Sequence, residues 1–138
     1  VNNRDMSDIC LQHLIALMLV DGKVSFKSTH DYARMRDPKV LAIRKLVVAV
    51  GDKALRDVQR RWNAVIEIQL KDGRRLRNKT MAAKGSFENP IERKELEVKA
   101  IDLIAPILGR KKTGALLSAL WKLDKIDNVR KLRRLYSK

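Results

Sequence analysis

At 138 residues, with 31 Lys and Arg against 16 Asp and Glu, the chain has a formal charge of +15 and room for one compact domain or a small domain with an appendage. Cys10 is its single cysteine, which excludes an internal disulfide and a cysteine-rich metal site and fits a reducing cytoplasm. The longest apolar run, Leu14 to Val20, is far short of the roughly 20 residues of a membrane-spanning helix, so a soluble, cytoplasmic protein with no membrane contact is expected.

No secretory pattern follows Val1, and a processed or truncated start is expected. Asp5 and Ser7 precede Ile9, Leu11, Leu14, Ile15, Met18 and Leu19, whose steps of three and four predict a helix. Cys10 and Leu17 add apolar surface on its other sides, which predicts burial nearly all round, and Asp21-Gly22 ends it. Val24-Ser25-Phe26 reads as a short extended piece. Ser28 and Asp31 have capping-box spacing ahead of Tyr32 and Met35, and Asp37 caps a further short helix with Pro38 in its first turn. The β-branched run Leu46 to Val50, closed by Gly51, reads as a strand.

Ala64 to Ala82 carries the clearest β signal, two alternating runs around Asp72-Gly73. A two-residue turn would set Leu70 opposite Arg75 and place an apolar side against a basic one. A three-residue loop, Lys71-Asp72-Gly73 with Gly73 left-handed, instead pairs Ile68 with Leu76 and Glu67 with Arg77, giving each face one polarity. Gly85 to Pro90 is a loop in which Asn89 is expected to cap and Pro90 to start a helix. That helix runs from Ile91 through Leu96, Ala100, Leu103, Ile104 and Ile107, with Pro106 expected to kink or end it. Gly109 to Gly114 reads as a basic break. Leu116, Leu117, Leu120 and Leu123 mark another helix, and Val129, Leu132 and Leu135 a last one. Strands before Ala83 and helices after Asn89 predict an α+β fold, with a small antiparallel or mixed sheet packed with helices and followed by C-terminal helices.

Five pieces in this order carry a resemblance: Gln12-His13 with Leu19-Val20-Asp21-Gly22, Arg36-Asp37-Pro38 with Val40-Leu41, Leu70-Lys71-Asp72-Gly73, Gly85-Ser86-Phe87-Glu88-Asn89-Pro90, and Glu95-Leu96. Together they make nearly the whole chain resemble the C-terminal part of the MmgE/PrpD family, which includes 2-methylcitrate dehydratase, cis-aconitate decarboxylase and iminodisuccinate epimerase. The resemblance implies a large helical domain and a smaller α+β lid with the active site in the cleft between them. Residues 1 to 88 would form most of the lid, and residues 89 to 138 a helical segment returning to a helical domain that this chain lacks. It also implies chemistry without metal or other cofactor on small di- and tricarboxylic acids: proton transfer beside a carboxylate, coupled to loss of water, loss of carbon dioxide or change of configuration. Most of the groups for that chemistry lie in the helical domain, so the chain alone is expected to be inactive. Its expected partners are that N-terminal helical domain, the carboxylic acid substrate and further copies of itself in a homo-oligomer.

His13 stands where the resemblance implies a cleft-facing Tyr or His, so an imidazole there would donate a proton or a hydrogen bond to substrate. The residues by themselves equally describe a histidine packed inside a helix. Gln12 is its neighbour but points about 100° away. Gly85 and Ser86 are candidates for binding a carboxylate through backbone N–H groups, against the plainer role of joining a strand to a helix. His30 with Asp31 falls in a capping turn where local hydrogen bonds are expected, and Cys10 lies in an apolar pattern that argues for packing. No metal-ligand spacing occurs. Arg60-Arg61, Arg74-Arg75-Arg77-Lys79, Arg110-Lys111-Lys112 and Arg130-Lys131-Arg133-Arg134 form basic clusters with few aromatics among them, so solvated cationic faces are expected rather than specific nucleic-acid binding. A stand-alone basic module binding nucleic acid or another polyanion is the alternative function. Self-association through Leu116, Leu120 or Leu132 is a third.

Overall fold

A computed structural model describes residues 6, 7, 9–56 and 63–137. Among them are seven α-helices and one two-stranded antiparallel sheet, so the fold is α+β. The chain divides into two compact units, Val1–Gly51 and Asp52–Lys138.

The first unit holds α1 (Leu11–Asp21), α2 (Phe26–Thr29), α3 (Tyr32–Arg36) and α4 (Pro38–Leu46). Its core is small, made of Ala16, Leu17 and Val40, with Val20 and Ile43 packed against it. Burial on α1 follows His13, Ala16 and Leu17 rather than surrounding the helix, and Leu11, Met18 and Leu19 stay about half exposed. The expectation of burial nearly all round is therefore corrected. A helix of apolar residues is buried only where another element covers it, and in this unit α4 covers one stripe.

Local chemistry sets the joints of the unit. Gly22 closes α1 at φ 71°, with its N–H donating to the Met18 carbonyl. The start is corrected: α1 begins at Leu11 with Cys10 at its cap, Ser7 lies buried in a turn ahead of it, and Asp5 lies outside the described residues. Ser25 and Ser28 form the capping box of α2, so Phe26 is helical rather than extended, while Asp31 caps α3 by accepting from the Ala33 N–H at 2.8 Å. Asp37 caps α4 through the Lys39 N–H at 2.8 Å with Pro38 in the first turn, as its sequence predicts. The Arg34 guanidinium donates to both Asp21 and Asp37, tying the end of α1 to the start of α4. Asp37→Ala is expected to lower stability by about 1–2 kcal/mol, from a lost cap and a partly exposed ion pair. Asp37→Asn, which keeps the cap, should lose less than half of that in a urea titration; an equal loss would show that the pair to Arg34 dominates.

Leu46 to Val50 is no strand. Leu46 ends α4, and residues 47 to 50 have no regular structure, with Leu46, Val48 and Val50 more than three-quarters exposed. β-Branched side chains favour an extended backbone, but a strand needs a partner to hydrogen-bond, and no strand occurs among the described residues of this unit.

In the second unit, a 3₁₀ turn at Lys53–Leu55 precedes β1 (Ala64–Gln69) and β2 (Arg75–Thr80). Their register pairs Ile68 with Leu76 and Glu67 with Arg77, the alignment predicted from polarity, and an Arg77–Glu67 ion pair at 2.9 Å seals it. Gly73 takes φ 87° in the loop, where Asp72 accepts from the Arg74 N–H at 3.0 Å and from its Nε at 2.7 Å. These bonds hold the Asp72 carboxyl below the usual carboxylate range. The strands are shorter than the predicted span, and every residue of β2 is exposed.

Three helical expectations are corrected. Helix α5 (Arg93–Leu108) begins after Glu92, whose N–H donates to the Glu95 carboxylate at 3.1 Å, and not at Asn89-Pro90. Asn89 is used within the preceding loop instead. The break expected from Gly109 to Gly114 is confined to Gly109 at φ 78°, because α6 (Arg110–Leu120) starts at once and Gly114 is helical. Thr113 is buried there and donates its hydroxyl to the Gly109 carbonyl at 2.8 Å. The last helix is a 3₁₀ turn, Val129–Leu132, running into the single turn α7 (Arg133–Tyr136). Pro106 sits in the final turn of α5, which ends two residues later. Arg93 lies over the Trp121 ring at 4.4 Å and pairs with Glu97 at 2.9 Å, joining α5 to the end of α6.

Candidate functional site

His13 lies on the buried stripe of α1, three residues before Ala16 and four before Leu17, so helical periodicity turns its ring into the core of the first unit. It is fully buried, and neither ring nitrogen has a hydrogen-bond partner among the described residues. Such a position is costly for a polar ring, on the order of 1–3 kcal/mol for each group left unsatisfied. Burial pushes the imidazole below its ordinary pKa, and the positive charges of Arg44 and Arg34 push it the same way. At neutral pH it is therefore an uncharged ring, with one nitrogen able to accept and the other to donate.

Arg44 is the residue that sequence reasoning missed. One of its guanidinium nitrogens, Nη1, is also buried without a partner. The signal was present in the spacing: Arg44 follows the fully buried Val40 by four residues on α4, so its stem shares the inward face of that helix. A neutral imidazole N–H and an arginine with an open donor, both in one unit, can each donate a hydrogen bond to an anionic oxygen.

Gln12 is half-buried, and its Oε1 accepts from the Cys10 thiol at 3.7 Å, so Cys10 serves local bonding. His30 is likewise local. Its Nδ1 lies 2.8 Å from the Phe26 carbonyl, its ring stacks on Phe26 at 4.0 Å, and Asp31 is the helix cap already described.

Gly85 and Ser86 belong to the second unit, in the loop between β2 and α5. Gly85 takes φ 94° and donates its N–H to the Asn89 carbonyl at 2.7 Å, and the Ser86 N–H donates to the Ala83 carbonyl at 3.1 Å. Both backbone donors thus close the loop on itself. The Ser86 hydroxyl is different: it is buried and has no partner among the described residues. Lys84 pairs with Glu95 at 3.0 Å, which fastens the loop to the first turn of α5 and holds the Glu95 carboxyl below its usual range. The structure therefore brings Gln12 and His13 together on one helix and Gly85 and Ser86 together in one loop.

No group of three or more His, Cys, Asp or Glu side chains gathers among the described residues as a metal site would require. None of the described helices is long and apolar enough to cross a membrane. The cluster Arg60-Arg61 lies outside the described residues.

Residues 1–124 match the MmgE/PrpD C-terminal domain model. No curated protein matches the chain.

Proposed function

Because the chain belongs to the MmgE/PrpD family, as its C-terminal domain over residues 1–124, we propose that it is the lid part of a cofactor-independent lyase or isomerase acting on small di- or tricarboxylic acids, in the manner of 2-methylcitrate dehydratase. The observation that carries this reading is the family match, which spans both compact units. In this reading residues 1 to 88 are the lid and residues 89 to 138 pack on a helical domain. Helix α5 supports that division, since none of its residues is buried and Leu96, Val98, Ile101, Leu103 and Ile107 are all exposed.

His13 is the proposed proton donor or hydrogen-bond donor to substrate, with Gln12 as a proposed contact beside it; in the Gly85–Ser86 loop of the second unit the backbone donors are already used, and the Ser86 hydroxyl is the proposed contact. Two buried polar groups without partners, the His13 ring and Arg44 Nη1, favour this over plain packing, since a buried polar group is ordinarily satisfied by a partner. A substrate carboxylate would supply acceptors for both. The His13 ring would have to be uncovered when the lid meets its helical domain. Homo-oligomer formation in a cytoplasmic enzyme belongs to the same reading. Leu116 and Leu132 are already buried inside the second unit, which leaves Leu120, 42 % exposed, of the three leucines for an interface between copies.

The chain alone is expected to leave 2-methylcitrate and cis-aconitate unchanged, and to restore turnover when added to the partner helical domain. Turnover by the isolated chain at the rate of an intact enzyme, or full activity of the helical domain without it, would overturn the lid reading.

A further inference from the structure

The second unit carries a hollow of about 570 Å³, wide open to solvent, lined by Arg130, Lys131, Arg133, Arg134 and Ser137. It lies beyond residue 124, where the family match ends, and none of the site residues above lines it. Its walls are held by several independent contacts. Asn128 caps the 3₁₀ turn by accepting from the Arg130 N–H at 3.0 Å, Leu132 is buried beneath it, and Lys112 Nζ donates to the Ser137 carbonyl at 3.1 Å, fastening the end of the chain to α6.

Four cations thus share one small concavity. Lys131 is neutralised by Asp127, with both carboxylate oxygens at 2.7 Å from its Nζ. Arg130, Arg133 and Arg134 have no carboxylate partner among the described residues. All three line the same hollow, Arg130 from the 3₁₀ turn and Arg133 and Arg134 from the helical turn that follows it. Like charges held together repel, and an anion relieves that repulsion. Guanidinium groups present forked donors that match phosphate oxygens two at a time.

We propose that this hollow binds a compact triphosphate group, whether inorganic or carried by a nucleotide. Its volume falls within the range of small-molecule sites, about 300–1,000 Å³. A single-stranded nucleic acid would instead call for a long groove with aromatic faces for its bases, and among the described residues no aromatic side chain lines this hollow. Three unpaired guanidiniums also match a triphosphate, which brings at least three negative charges, better than a single phosphate.

The test is calorimetric titration of the full chain with inorganic tripolyphosphate and with ATP at about 0.15 M salt, where long-range attraction is screened. The variant Arg130→Gln/Arg133→Gln/Arg134→Gln keeps helix propensity and most of the stem packing. It is expected to lose at least tenfold in affinity with an unchanged circular dichroism spectrum. Lys71→Gln/Arg75→Gln/Lys79→Gln removes the same charge from the hairpin and is expected to stay within twofold of the parent. Equal binding of both ligands places recognition on the phosphates, and tighter ATP binding adds a contact to the nucleoside. An equal loss in the two triple variants would reduce the effect to net charge and overturn the proposal, as would no binding of either ligand. Tighter binding of a short DNA, lost with the same three arginines, would overturn it in favour of a nucleic-acid surface.

Discussion

His13→Ala in the assembled enzyme is expected to lower turnover by about 10²- to 10⁴-fold, the usual contribution of a positioned acid or base. Because the ring is fully buried, alanine also leaves a cavity, and the chemical and packing effects must be separated. His13→Leu does so. It fills similar space while removing two nitrogens that have no partner, so stability should be unchanged or higher by up to about 1–3 kcal/mol while turnover still falls. Retained turnover in His13→Leu would take the imidazole out of the reaction.

The same pair of proteins carries a pH signature. His13 in the folded chain titrates below its ordinary value, whereas in the unfolded chain it titrates near about 6.5. Between those two points the unfolded state binds more protons, so stability rises with pH through the window. It is fully present above about pH 6.5 and is lost as the pH falls toward the folded value. A urea midpoint for the first unit should therefore be lower at pH 5.5 than at pH 7.5 in the parent, and this dependence should shrink in His13→Leu. Asp72 and Glu95 are shifted downward from the carboxylate range, so their contribution is lost only in more acidic solution. A parent midpoint identical at the two pH values would contradict the buried, uncharged imidazole.

Leu17→Ala is expected to destabilise the first unit by about 2–5 kcal/mol. Leu17 is the largest apolar side chain in a core of Ala16, Leu17 and Val40, and domains of this size hold only about 5–15 kcal/mol in all. So small a core has few neighbours to collapse into the space. Amide hydrogen exchange across α1 and α4 reads this unit by itself. Exchange in α1 no faster in the variant than in the parent would show that α1 is held from outside this core.

The candidate site was partly legible. Placing His13 on a helix needed only the spacing of its apolar neighbours, and the choice between core and cleft stayed open because one helix does not say what lies across from it. The structure adds that the ring is buried and that Arg44 contributes positive charge from another helix. Arg44 passed unnoticed because a charged residue on an inward face looks like any other arginine until burial is known. The loop at Gly85 and Ser86 was located correctly between strand and helix, but its hydrogen bonds, which close on Asn89 and Ala83, depend on backbone angles that residue types alone do not specify.

Several features needed no more than neighbouring residues: the Asp37-Pro38 start of α4, the Gly22 stop of α1 and the Ile68–Leu76 register of the hairpin. In each, capping, a left-handed glycine or polarity across a short loop decides among few alternatives, all within a few residues of chain. Tertiary structure alone decided that Val47 to Val50 finds no strand, that α1 is covered on one stripe, that Arg34 links two aspartates, and that three arginines near the end of the chain share a hollow. Those outcomes turn on which distant surfaces meet, and no local propensity encodes the partner that a side chain will face across the fold.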